Sequence, residues 1–109
     1  MKLKIGEEVK IKEDFKINTT ISEKVITVKK DDKGFMDSRG FLHLTTGNGR
    51  GKIVKIEDIE VKNYDYENIS KVIFSRLNCV FGIENFLSDE EIEFENFIEE
   101  IRDVLSDIL

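Results

Sequence analysis

The sequence predicts an α+β chain. Residues 1–62 should form a small β-barrel or bent antiparallel sheet, and residues 63–109 two main helices packed with it as one domain. Three observations predict this. Apolar residues recur at every second position before Lys62 and at steps of three and four after Asp65. Glycine turns separate short β-branched segments in the first half, the habit of small all-β units. Charge changes together with period. Residues 1–62 carry 14 Lys+Arg against 11 Asp+Glu, a net +3, whereas residues 63–109 carry 3 against 12, a net −9.

The elements follow in order. Glu8-Val9-Lys10-Ile11-Lys12 alternates as a half-buried strand does. Lys24 to Lys30 is β-branched and stops at Asp31-Asp32-Lys33-Gly34, a turn signal. Gly34-Phe35-Met36 is a short strand, and Asp37-Ser38-Arg39-Gly40 has the Asp-first, Gly-last preference of a type I turn. Phe41 to Thr45 is the next strand, with Leu42 and Leu44 on one side and Phe41, His43 and Thr45 on the other. After the glycine-rich Gly47 to Gly51, Lys52 to Ile56 and Ile59 to Val61 close the set. Asp65 can then cap a helix carrying Ile69, Val72, Ile73, Leu77, Val80 and Phe81, with Gly82 as its C-terminal cap. Ile83 to Leu87 is a short helical turn or linker. Ser88-Asp89-Glu90-Glu91 reads as a capping box opening the last helix, where Phe94, Phe97, Ile98, Ile101, Val104, Leu105 and Ile108 draw an apolar stripe. The expected helix packing runs through Ile69, Val72, Ile73, Leu77, Phe94, Phe97, Ile101 and Leu105.

Composition narrows the function classes. No run approaches the roughly 18 apolar residues of a membrane span, and Met1 to Gly6 lacks an apolar signal-peptide core. Cys79 is the one cysteine, so no internal disulfide is expected and a reducing cytoplasm fits. One His and one Cys argue against a structural zinc site, and no cofactor or metal is expected. The chain has 15 Ile, 13 Lys, 8 Phe and 7 Asn but no Ala, Pro, Gln or Trp. That usage is what an AT-rich gene produces, such as one of a low-GC bacterium, its phages or its plasmids.

Chemistry carriers are sparse. Thr46-Gly47-Asn48-Gly49-Arg50-Gly51-Lys52 is not a P-loop, because Thr46 stands where Gly is needed, Ile53 where Ser or Thr is needed, and a strand follows. It reads as an exposed, mobile hairpin connection in which Arg50 and Lys52, with Arg39, could touch phosphates or carboxylates. His43 has no second ligand, Cys79 reads as a helix residue, and no serine sits in a nucleophile turn, so no catalytic residue is assigned and no enzyme is expected. The last helix sets Glu91, Glu95, Glu99 and Asp103 four apart, with Glu93, Glu100 and Asp107 in a second row. Like charges four apart cost a few tenths of a kcal/mol each, a cost that a basic partner would relieve.

The opening Lys4-Ile5-Gly6-Glu7-Glu8-Val9-Lys10-Ile11-Lys12 and the strands through Ile59-Glu60-Val61 resemble SH3-like small barrels of low-GC bacterial and phage proteins. Met36 to His43 together with Tyr64 to Lys71 resembles small accessory proteins of mobile elements in Firmicutes. In size, composition and acidic helix the whole chain resembles plasmid- and phage-borne anti-CRISPR proteins that act on type II RNA-guided Cas nucleases. Such proteins share no motif, so no residue role is carried over by pattern. The resemblance implies a stoichiometric protein–protein inhibitor of a Cas nuclease, its guide complex or its production, in a bacterial cytoplasm. The partner-binding candidates are Glu91, Glu95, Glu99, Glu100, Asp103 and Asp107. The alternative is a small nucleic-acid-binding or regulatory SH3-like module of a mobile genetic element. It would use Lys29, Lys30, Arg39, Arg50 and Lys52. Few stacking aromatics accompany those loops.

Overall fold

A computed structural model of the protein describes residues 2–18 and 25–109. The chain divides into two compact units, Met1–Asn63 and Tyr64–Leu109.

The first unit contains β1 (Lys2–Ile5), β2 (Glu8–Lys10), β3 (Phe15–Asn18), β4 (Val25–Val28), β5 (Lys33–Met36), β6 (Phe41–Leu44), β7 (Ile53–Lys55) and most of β8 (Glu60–Tyr64). They form three open sheets: a pair β1–β8, a four-stranded sheet in the order β2-β5-β6-β7, and a pair β3–β4. The registers of the four-stranded sheet and of β3–β4 are antiparallel. No closed barrel forms among the described residues, which corrects the barrel expectation and leaves an α+β chain with open antiparallel sheets. Among the described residues the ladders β1–β8, β2-β5-β6-β7 and β3–β4 are not joined into one circuit.

Alternation puts the core on one side of these sheets. Ile11, Val28, Met36, Leu42 and Leu44 are buried, and Leu3, Val9, Phe15, Ile17, Val54 and Val61 are among the side chains packed on them. In β6 the buried residues are Leu42 and Leu44, as the alternation predicts. Ile11 lies beyond the end of β2, yet it exchanges backbone hydrogen bonds with the Asp31–Asp32 turn, its N–H donating to Asp32 O at 2.8 Å. Strands β1 and β3 were not anticipated. The predicted strand over Lys24 to Lys30 appears as Val25–Val28, with Lys24 outside the described residues. Gly34 is needed for close approach. A Cβ there would stand 2.6 Å from the carbonyl oxygen of His43 and 3.0 Å from the Leu42 side chain.

The second unit is helical: α1 (Tyr66–Phe81), α2 (Ile83–Asp89) and α3 (Phe94–Ile108). Asp65 caps α1, its carboxylate accepting from the Asn68 N–H at 2.9 Å. Gly82 ends the helix at φ +66°, a left-handed cap whose N–H donates to Asn78 O at 2.9 Å. The capping-box expectation is corrected. Ser88 belongs to α2, Glu91 turns at φ +57°, and α3 starts after Glu93, which makes no side-chain cap bond. Residues Glu90 to Ile92 donate back to Phe86, Ser88 and Leu87, so they close α2 and are not free to open α3.

The helical packing is also shallower than the stripe implies. Only Ser70 and Leu87 are buried, and α3 has no buried residue. Phe97 is half-buried and Phe94 is 42% exposed, while Val80 and Phe81 are 60% and 72% exposed. Helix α1 meets α3 through Phe74, which was not among the expected packing residues. Its ring lies 5.8 Å from the ring of Phe94, stacked, and 5.8 Å from that of Phe97, edge-on. Arg102 on α3 reaches Glu67 on α1 at 3.4 Å, and the Tyr66 hydroxyl donates to Leu109 O at 2.7 Å.

Candidate functional site

The acidic surface of the helical unit is built by α3. At about 100° per residue, Glu95, Glu99, Asp103, Asp107 and Glu100 occupy an arc of roughly 140°. Phe97, Ile98, Ile101, Val104, Leu105 and Ile108 fall on the opposite arc. All five acids are exposed.

Two of the six expected partner-binding residues are already answered internally. Arg102 pairs with Glu99 at 3.3 Å and Asp103 at 3.2 Å. The Asp103 hydrogen bond first, then that of Glu67, hold its guanidinium above the ordinary arginine value. Among the described residues no ion pair reaches Glu95, Glu100 or Asp107. The sixth, Glu91, is displaced from the row because it sits in the α2–α3 turn. There it borders an open groove of about 420 Å³ with Glu84, Glu93, Leu87, Ile92 and Phe94.

The expected basic loop is divided between two turns. Arg50 and Lys52 are exposed in the β6–β7 connection. That connection carries backbone hydrogen bonds of its own. Gly51 N–H donates to Leu44 O at 2.8 Å, Lys52 N–H to Gly49 O at 2.9 Å and Arg50 N–H to Gly47 O at 3.2 Å. Buried Gly49 packs beneath Leu44 and Val28. Arg39 stands in the β5–β6 turn.

That second turn is held by a cluster the sequence reading missed. Asp37 Oδ1 accepts from the N–H groups of Arg39 at 2.8 Å and Phe41 at 3.0 Å. Asp37 Oδ2 accepts from His43 Nε2 at 2.9 Å and pairs with the Arg39 guanidinium at 3.4 Å. Burial pushes the carboxyl upward, but the His43 hydrogen bond and the two backbone N–H bonds outweigh it and hold its pKa at about 2. Both carboxylate oxygens are thus engaged in fixing the turn, as a structural lock requires. Phe35 stacks on the His43 ring at 4.9 Å and 8°. Arg39 and Lys55 lie over the Phe41 ring at 5.3 and 5.6 Å.

Cross-strand register explains the assembly. Glu8, Phe35, His43 and Ile53 are paired across the four strands, as are Phe41 and Lys55, on the face opposite Leu42 and Leu44. The available signal was the alternation around Met36 and Leu42, but which outward residues become neighbours depends on register.

Cys79 is exposed on α1. Among the described residues, no group of three or more His, Cys, Asp or Glu could hold a metal ion, and no helix is long and apolar enough to cross a membrane. No protein-family model matches the chain, and neither does any curated protein or solved structure.

Proposed function

We propose that the chain is an anti-CRISPR protein, a stoichiometric and non-enzymatic inhibitor of a type II RNA-guided Cas nuclease or its guide complex in the cytoplasm of a bacterial host. The supporting observation is the α3 face, where five exposed carboxylates share one side of a 15-residue helix. Cas effectors hold nucleic acid in positively charged channels. A row of carboxylates can occupy such a channel in place of phosphates, raising the on-rate through charge complementarity. The SH3-like character of the β unit and its origin in a mobile element belong to the same proposal.

The structure selects the variant that tests it. Replacing Glu95, Glu100 and Asp107 with Gln, Gln and Asn removes three charges and leaves the Arg102 ion pairs untouched. Relief of like-charge repulsion keeps the helix at least as stable. The variant should bind the nuclease with a slower on-rate and protect a target plasmid less well in an interference assay, with the difference shrinking as salt rises. Equal protection by the folded triple variant at physiological ionic strength would overturn the reading.

A further inference from the structure

The outer face of the four-stranded sheet brings aromatic rings and cations together on one surface. Phe35, Phe41 and His43 are half-buried, with one side of their strands turned away from the core. Ile53 beside them is 53% exposed. Around the rings stand Arg39 and Lys55, and the same register places exposed Lys10 opposite exposed Lys33. The acids on this face are Glu8 and Asp37, and Asp37 is spent on His43, Arg39 and the turn. The local balance is therefore cationic within a chain of net charge −6.

We propose that this sheet face is a docking surface for a short stretch of single-stranded nucleic acid, with bases stacking at Phe41 and the Phe35–His43 pair and phosphates meeting Lys33 and Lys55. Stacking on aromatic side chains is tolerant of sequence because every base has a π-face, and a basic track for the backbone supplies the rest of the affinity. Phe41 already holds two cations over its ring, so a base entering there displaces or extends an existing cation–π arrangement without creating a new pocket. Inside a duplex the bases cover one another's faces, whereas a single strand can splay its bases onto the rings, so the surface selects single strands. This site lies wholly in the first unit and requires nothing of the nuclease reading.

The test is fluorescence anisotropy with the purified full chain and labelled 12-nucleotide oligo-dT, oligo-rU and a 12-base-pair duplex, from 25 to 200 mM salt. Single strands should bind more tightly than duplex, and the dT and rU arms report whether DNA or RNA is preferred. Lys33→Gln with Lys55→Gln should lower the slope of log K against log salt by about 1.4, at about 0.7 per lost phosphate contact. Phe41→Leu keeps an apolar side chain at the site and should weaken binding about tenfold, the scale of one stacked base. Circular dichroism verifies that each variant is folded. Absence of single-strand binding at 25 mM salt, equal binding of duplex, or parental affinity in either folded variant would each overturn the proposal.

Discussion

Replacing Asp37 with Asn removes a charge from the centre of the β5–β6 turn while keeping the shape of the side chain. The native carboxylate is 18% exposed and accepts from two backbone N–H groups and from His43. Holding its pKa at about 2 against an ordinary 3.8 corresponds to roughly 2 kcal/mol of stability in the ionised state. Residual exposure screens part of that, so Asp37→Asn should cost the first unit ~1–2 kcal/mol at pH 7. The pH dependence has a definite sign. A carboxyl with a depressed folded value contributes fully above its unfolded value of 3.8 and loses that contribution as pH falls toward about 2. The gap between parent and variant should therefore close between about pH 4 and 2. Urea titrations followed through the amide NMR signals of Leu42 and Leu44, buried core residues of the same unit, measure it without interference from the helices. A gap below about 0.3 kcal/mol at pH 7, or one that persists unchanged at pH 2, would refute the argument that the charged carboxylate locks the turn.

Other substitutions probe packing. Gly34→Ala would drive a methyl group against the His43 backbone carbonyl, so it should destabilise the first unit by ~2 kcal/mol or more in the same titration. Phe97→Ala removes a half-buried ring and its edge contact with Phe74. It should cost the helical unit ~1–2 kcal/mol by circular dichroism at 222 nm, short of the ~3–5 kcal/mol of a fully buried phenylalanine.

Much of the helical unit was legible locally. Asp65 and Gly82 mark the ends of α1 because caps satisfy backbone groups within a few residues of themselves. The acidic arc of α3 follows from helical pitch alone, so Glu95, Glu99 and Asp103 of the first expected row and Glu100 and Asp107 of the second emerge side by side, with Glu93 at the N-cap. Glu91 does not, because two local programmes competed for Ser88 to Ile92. Continuation of α2 consumed the residues that a capping box would have used. Strands β1 and β3 do alternate, as Lys2-Leu3-Lys4-Ile5 and Phe15-Lys16-Ile17-Asn18, but four residues are too few to separate that pattern from chance.

The sequence by itself determined what depends on neighbours along the chain: alternating strands before Lys62, amphipathic helices after Asp65, and a basic half joined to an acidic one. Only the tertiary structure decided how the strands pair, and with that the open sheets in place of a barrel. It also decided that Phe35 lies against His43, Phe41 beside Lys55, and Asp37 within reach of His43. Those contacts depend on register, and a slip of one residue would turn every outward side chain inward. Register is set by the summed burial of Val9, Met36, Leu42, Leu44 and Val54, a nonlocal quantity that no single segment encodes.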